Sequence, residues 1–309
     1  MRICCLQVVF LFVVSCCFGK SLVTVLPPGE TNPVSFVEPA MLWTETLSSP
    51  RKVVVHFLKI DLTSPEVEVF AALSPDPDGP EGPAEGELVL PETFMSDEGI
   101  LALINANAFS YLPPPTNTPP RKGMYVGRPV RIQGLAAADG EIRSPDQPDR
   151  LAFWLDEKGK PHIGHPTVKD KVQHGVADWF SPLVVDGLAV GETKPGDEGL
   201  LDEEDLANTK ISKDIHPRTM LGFDDTGTWL LLVVVDGRRN GYSIGLRLSE
   251  QAALMKERGC TQAINLDGGG SSIIMIRDEN GDLRTVNRPS SNRHRPIPIM
   301  LGLRRNPEH

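Results

Sequence analysis

Cysteine is almost absent from the body of this 309-residue chain: Cys4, Cys5, Cys16 and Cys17 lie within the first 20 residues, and Cys260 alone lies beyond them. That distribution excludes a disulfide framework and a cysteine-built metal centre. Cys260 precedes an apolar stretch and reads as a small core residue rather than a nucleophile. Aromatic residues make up 6% of the chain, too few for binding surfaces built of large stacked rings. Basic residues are in deficit, 31 Lys and Arg against 41 Asp and Glu. The resulting formal charge of −10 repels nucleic acid and anionic membrane surfaces, so neither is expected as a partner. There is also no HExxH zinc helix, EF-hand loop, P-loop lysine or GxGxxG fingerprint. His162 and His165 stand in an HxxH spacing, but Ile163-Gly164 and Pro166 read as strand and turn, which makes them surface histidines.

The longest leading apolar run, Ile3 to Val14 with only Gln7 interrupting, is too short to span a bilayer and suits the core of a signal peptide. Residues 1–20 are therefore expected to be an export signal, cleaved after Gly19. The alternative is a lipoprotein signal, because Val13-Val14-Ser15-Cys16 resembles a bacterial lipobox, and a lipid on Cys16 would be the one route to a membrane. The expected location is outside the cytoplasm: secreted, periplasmic or anchored at the cell envelope.

What is present is turn-rich and foldable: 28 prolines, 28 glycines and a 40% hydrophobic content that can supply a core. Leu58 to Leu62 and Glu66 to Val69 alternate apolar and charged residues, the period of a half-buried strand, and the unbroken run Trp229 to Val235 suits a strand covered on both faces. Asp186-Gly187 and Asn280-Gly281 lie between apolar runs as hairpin turns. The segments Ser74 to Glu87 and Glu192 to Asp205 are acidic surface loops. A helix is expected after Ser249 as cap, with Leu248, Ala252 and Met255 as its apolar stripe and Gly259 as its stop. Another is expected from Pro91 to Gly99. Each is followed by an apolar strand ending in Ile-Asn-x-Asn/Asp, at Asn105 and at Asn265, an internal echo. The expected fold is therefore mixed α/β (α+β), one domain over residues 21–309 with a twisted mixed sheet, a few covering helices and two pseudo-repeated helix–strand units. No feature of the sequence sets an oligomeric state.

The polar constellations sit at strand ends. Asn265-Leu266-Asp267-Gly268-Gly269-Gly270-Ser271-Ser272 runs from a carboxylate into three glycines and two hydroxyls. Such a run serves either as a tight turn or as a nest of amides facing an anion. Asp236-Gly237-Arg238 closes the most hydrophobic strand, either as a simple strand-ending turn or as charged groups facing a cleft. His216-Pro217-Arg218-Thr219 precedes another apolar stretch, and Arg218 has the fork geometry for a phosphate or for a structural ion pair.

Taken in order, Pro217-Arg218-Thr219, Val235-Asp236-Gly237-Arg238, Ser243-Ile244-Gly245 and Asn265 to Ser272 resemble the phosphodiester glycosidase family, over roughly Val53 to Leu303. Asn287-Arg288-Pro289 and Arg295 match its C-terminal Asn and Arg positions. One motif departs: Asn105-Ala106-Asn107-Ala108-Phe109 stands where the family carries Asn-Gly-Gly-Tyr/Phe-Phe, and a proline-rich run from Leu112 to Pro120 follows. The resemblance implies an exported glycosidase that cleaves an N-acetylglucosamine-1-phosphate-type diester, small molecule or glycan, at the C1–O bond. The departing phosphate needs positive charge and N–H donors more than a general acid. On that scheme Asp267, Asp236 and Arg218 are the catalytic candidates. Asn105, Arg238, Asn265, Gly268, Gly269, Gly270, Ser271, Ser272, Asn287 and Arg295 are the substrate-binding ones. No cofactor is required, although Asp236 and Asp267 near one strand edge could hold Ca²⁺ or Mg²⁺. Two other readings stay open: a phosphodiesterase that breaks P–O, and a non-catalytic module that binds envelope glycans or phosphopolymers.

Overall fold

The structure, a computed structural model, describes residues 22–27, 39–113, 123–179, 181–190, 214–291 and 293–307. The export signal with Cys16, most of the proline-rich run and the acidic stretch from Glu192 to Asp205 lie outside the described residues.

The β-branched and leucine-rich runs pair into a large eight-stranded sheet. Its order is Val23–Val25, Ala40–Leu47, Val53–Asp61, Trp229–Val235, Arg218–Phe223, Gln262–Asn265, Pro182–Val185 and Leu188–Ala189. Trp229–Val235 lies mid-sheet, with Val235 opposite both Val55 and Arg218. Every pairing in this sheet is antiparallel except that of Val23–Val25 with Ala40–Leu47. A second sheet has the order Leu283–Thr285, Ile274–Arg277, Ile100–Asn105, Ile299–Arg305 and Val67–Leu73. A third five-stranded sheet, which includes Ala152–Leu155 and His174–Ala177, and a small three-stranded one complete the fold.

The continuous apolar run of Trp229–Val235 has the expected cause, because both faces of its sheet are covered. On one face Leu58, Leu230, Leu232 and Val234 meet Ala102, Ile104 and Leu301 of the second sheet and Phe153 and Val176 of the third. On the other, Phe57, Leu231 and Val233 meet Leu248, Ala252 and Met255 of the helix Leu248–Glu257. Cys260 joins this second cluster, and burial pushes its thiol up to about 12, so it is an inert packing group.

The expected α/β architecture is corrected here: strand is 43% and helix 7%, with two α-helices among the described residues and several sheets where one was expected. The sequence stretch from Pro91 to Gly99 gives a helix of only four residues, Pro91–Phe94. The Asp97 carboxylate takes the Gly99 N–H at 2.7 Å, a local turn that competes with helix continuation. The real helix starts one residue earlier than its expected cap. Leu248 follows Arg247, Ser249 lies inside the first turn, and the Glu250 carboxylate receives the Arg247 N–H at 2.8 Å. Gly259 ends it at φ +87°, as expected. The two echoed strands are not repeats within one sheet, since Ile100–Asn105 belongs to the second and Gln262–Asn265 to the first. Their ends nevertheless meet, and the candidate site forms where they do.

Candidate active site

Antiparallel pairing brings the start of Arg218–Phe223 and the ends of Trp229–Val235 and Gln262–Asn265 to one edge of the large sheet. The second sheet reaches this edge through Asn105. The Asn105 Oδ1 accepts from Thr219 Oγ1 at 2.7 Å and from the Ile273 N–H at 3.1 Å, and its Nδ2 donates to the Asp267 carbonyl at 2.6 Å. One amide thus clamps both sheets and the glycine segment, so Asn105, expected to bind substrate, is engaged by the protein itself. Leu266 N–H to Thr219 O at 2.8 Å and Gly269 N–H to Pro217 O at 2.9 Å lay the glycine run across the same strand start.

Asp236 is fully buried and saturated. Its Oδ2 accepts from His56 Nε2 at 3.0 Å and from the Tyr242 hydroxyl at 3.0 Å. Its Oδ1 accepts from the Arg288 N–H at 2.8 Å and from Asn287 Nδ2 at 3.2 Å. Because the carboxylate only accepts, His56 carries its proton on Nε2, and its Nδ1 faces the Thr44 hydroxyl at 2.9 Å. Burial and the neighbouring Asp236 push the Tyr242 phenol up to about 12, which keeps it a donor. Asn287 is equally committed: its Oδ1 takes the Ile274 N–H at 3.0 Å and its Nδ2 also reaches Ser272 O at 3.0 Å. With four donors on two oxygens, Asp236 offers little to a cation, and the described residues contain no group of three metal-ligating side chains.

Asp267 differs. Among the described residues its carboxylate accepts from the Gly268 N–H, at 2.9 Å to Oδ1, and from the Ser271 hydroxyl, and the residue keeps partial exposure. Removal from water raises its carboxyl to about 6, against the opposing pull of the Ser271 hydroxyl, Arg295 and the Gly268 amide. Around it the glycines admit cations rather than side chains. A Cβ on Gly269, which has φ +63°, would lie 3.1 Å from Arg238 Nη2, and one on Gly270 would lie 2.3 Å from Arg295 Nη2. A Cβ on Gly268 would press on Pro217 O at 2.9 Å.

Arg238 takes φ +58°, a left-handed backbone that costs a non-glycine residue roughly 1–2 kcal/mol. No carboxylate lies within ion-pair distance of Arg238 or Arg295 among the described residues, and each guanidinium has one modest partner. Arg238 Nη2 reaches His216 Nδ1 at 3.1 Å, and Arg295 Nη1 donates to Ser271 Oγ at 3.4 Å. Burial, then Arg238 and Arg218, hold His216 below its ordinary value, so its Nδ1 stays an acceptor at neutral pH. Arg218 is buried, with Nε on Leu246 O at 3.0 Å and Nη2 on Asp214 O at 2.9 Å. Desolvation, then Arg238, lowers it to about 10. In a chain of net charge −10, this like-charged cluster at a glycine turn is arranged for an anion.

The structure therefore gathers Arg218, Asp236, Arg238, Asp267, the three glycines, Ser271, Asn287 and Arg295 at one place, with Asn105 and Asn265 beside them. Ser272 is buried with its hydroxyl unpartnered among the described residues. Sequence reasoning missed His56 and Tyr242. Tyr242 had a signal, standing six residues after Asp236 within the Ser243-Ile244-Gly245 motif region, whereas His56 looks like any polar residue of a strand. His162 and His165 are partly exposed and pair with Asp156 at 3.0 Å and Asp146 at 2.9 Å.

A site of this kind, a strand-end carboxylate facing an anion-holding glycine turn, fits a hydrolase acting on a phosphorylated sugar, and comparison with known proteins agrees. The family model for phosphodiester glycosidase matches residues 105–304. The chain belongs to the phosphodiester glycosidase family, and it is an enzyme, a hydrolase of that class. Among solved structures it is similar to the catalytic domain of zebrafish N-acetylglucosamine-1-phosphodiester alpha-N-acetylglucosaminidase, auto-inhibited by its pro-peptide. The TM-score is 0.58 at 19% identity, over 85% of this chain and 81% of that one. A hypothetical protein from Synechocystis gives a TM-score of 0.58 at 14% identity, over 86% of this chain and 64% of the other. At these identities the structures support the fold, and the family model supports the class. No curated protein sequence matches the chain.

Proposed function

We propose that this chain hydrolyses the C1–O bond of a sugar 1-phosphodiester of the N-acetylglucosamine-1-phosphate type. Asp267 acts at C1, as nucleophile or as base for water. Arg238, Arg295 and the amides of Gly268 to Gly270 receive the departing phosphate, with His216 and Arg218 behind them. The observation that carries this reading is the placement of Asp267 at a glycine turn overhung by Arg238 and Arg295, neither within ion-pair distance of a carboxylate among the described residues. A phosphate monoester leaves as a stable anion, so the guanidiniums and amides do the work that a general acid does for an ordinary glycoside. Asp236 has a different part: with His56, Tyr242 and Asn287 it fixes the strand end from which Arg238 projects.

The test is incubation with a panel of sugar 1-phosphodiesters that vary in sugar and aglycone, with the released sugar identified. N-acetylglucosamine released from at least one member is expected. Binding without release would favour the non-catalytic module. Because Asp236 is saturated by protein donors, no Ca²⁺ or Mg²⁺ is required, and activity should survive exhaustive EDTA treatment unchanged. We also infer export, from the N-terminal apolar run. Mass spectrometry of the mature protein should find residues 1–19 removed, or a lipidated Cys16 at the N-terminus.

A further inference from the structure

Near the strand ends that carry Asp267, three buried side-chain oxygens have no partner among the described residues: Asn107 Oδ1, Asp178 Oδ1 and Asn265 Oδ1. All three residues are nine-tenths or more buried, at 2%, 3% and 0% exposure. They come from three elements held to one another. Asn265 is locked to the backbone beside Asp178, its carbonyl accepting the Trp179 N–H at 2.7 Å and its Nδ2 donating to Trp179 O at 2.5 Å. Asn107 donates to Gln133 O and to Leu135 O, both at 2.9 Å, which fixes which end of its amide is left over. Arg150 joins the two parts, with Nη2 on Gln133 Oε1 at 2.9 Å, its guanidinium 4.5 Å from the Trp179 ring centre and its charge attracting Asp178. A Cβ on Gly134 would lie 2.3 Å from Ala177 Cβ, so the Gln133–Leu135 turn packs directly against the strand His174–Ala177, which Asp178 follows.

Folds rarely leave one buried acceptor unpaired, and three together mark a place built for something else to complete. The chemistry left over is acceptor oxygens, and Arg150 Nε beside them also has no partner among the described residues. A phosphodiester anion has no protons to give such a group, whereas a pyranose has several hydroxyls and an acetamido group adds an N–H. The cluster is tied to the backbone of the reacting residue in two ways. Asn265 lies two residues before Asp267, and the Asp267 N–H is held by Ala106 O, next to Asn107, at 2.9 Å.

We propose that Asn107, Asp178 and Asn265 form the sugar-binding half of the site and that Asp178 determines which sugar is accepted. The substrate then lies across Asp267, phosphate toward Arg238 and Arg295 and pyranose toward Asp178. Burial outweighs Arg150 and raises the Asp178 carboxyl to about 7, so near neutrality it can both give and accept a hydrogen bond. This orientation rests on the sugar-phosphodiester reading above, and the test separates the two.

Free N-acetylglucosamine and inorganic phosphate are titrated separately into the full chain and into Asp178→Ala, Asp178→Asn and Arg238→Ala, alongside KM for an N-acetylglucosamine 1-phosphodiester. Asp178→Ala should raise KM and weaken sugar binding about tenfold or more, with phosphate affinity within about twofold of wild type, and Arg238→Ala should do the reverse. Asp178→Asn keeps the volume of the side chain, so if the alanine variant does not fold it supplies the same sugar-selective loss, smaller in size. The proposal is overturned if the folded Asp178 variants bind sugar as wild type does, if they lose sugar and phosphate equally, or if wild type binds no sugar at millimolar concentration. Sugar binding lost in the Asp178 variants while wild type hydrolyses no diester would uphold the subsite and reject the glycosidase reading.

Discussion

Asp236 and Asp267 close neighbouring parts of the same sheet edge, yet their surroundings are opposite. Asp236 is fully buried and accepts four hydrogen bonds, from His56, Tyr242, Asn287 and the Arg288 amide. Asp267 is partly exposed, has two donors, the Gly268 amide and the Ser271 hydroxyl, and carries a carboxyl raised to about 6. A carboxylate whose lone pairs are all occupied cannot form a bond to a substrate without dismantling its own support, whereas an under-solvated one at a turn is primed to react. The sequence shows two Asp-Gly turns of similar appearance, and only the structure assigns one to holding and the other to chemistry.

The most severe test of that contrast is Asp267→Asn. It should reduce kcat by about 10³-fold or more, about 4 kcal/mol, with an unchanged melting temperature. Comparable turnover in the variant would move the chemistry elsewhere. Asp236→Ala should do the converse. It strips four donors of their acceptor and should cost about 3 kcal/mol or more in folding free energy, measured by denaturant unfolding. If Asp236→Ala instead retained stability and lost only kcat, the roles assigned to the two carboxylates would have to be exchanged. Arg238→Ala should raise KM by about 10- to 100-fold, since a charge-assisted hydrogen bond contributes roughly 1.5–3 kcal/mol, and should leave stability near wild type or above it, because the left-handed backbone carries a guanidinium repelled by Arg295.

The smallest effects are in pH. Asp267 must be ionised to act, so kcat/KM should fall about tenfold per unit below pH 6 and level above it. Stability should run the other way. Asp178 holds its proton up to about 7, while in the unfolded chain it releases it near the ordinary 3.8. Between those values the folded state binds the extra proton, so stability declines as pH rises through the window. Asp178→Asn should flatten that decline in melting scans from pH 4 to pH 8, and an unaltered slope would assign it to other groups.

Much of the site was legible because its residues terminate apolar runs. Asp236 ends Trp229 to Val235, and Asp267 follows Ala263-Ile264 into glycine, so a strand-end location needed no coordinates. The ordered motifs gave the family, and the family model covers them from Asn105 to Arg304. The architecture was less legible. Helix was over-read at Pro91 to Gly99 because one carboxylate, Asp97, diverts the chain after a single turn. The number of sheets is a matter of long-range pairing, such as Ile274 opposite Ile104, that no local period announces. Asn105 and Asn287 were expected to touch substrate, since an exposed amide and a bracing one look alike in sequence. Asp178 and His56 went unseen for a related reason, as their importance lies in contacts from distant strands.

The central claim is that water attacks the anomeric carbon, with phosphate leaving as an intact monoester. Hydrolysis of an N-acetylglucosamine 1-phosphodiester in H₂¹⁸O, followed by mass spectrometry of both products, tests it most directly. The label should appear on C1 of the released sugar, with the phosphate monoester unlabelled. Label on the phosphate would show P–O cleavage and contradict the account.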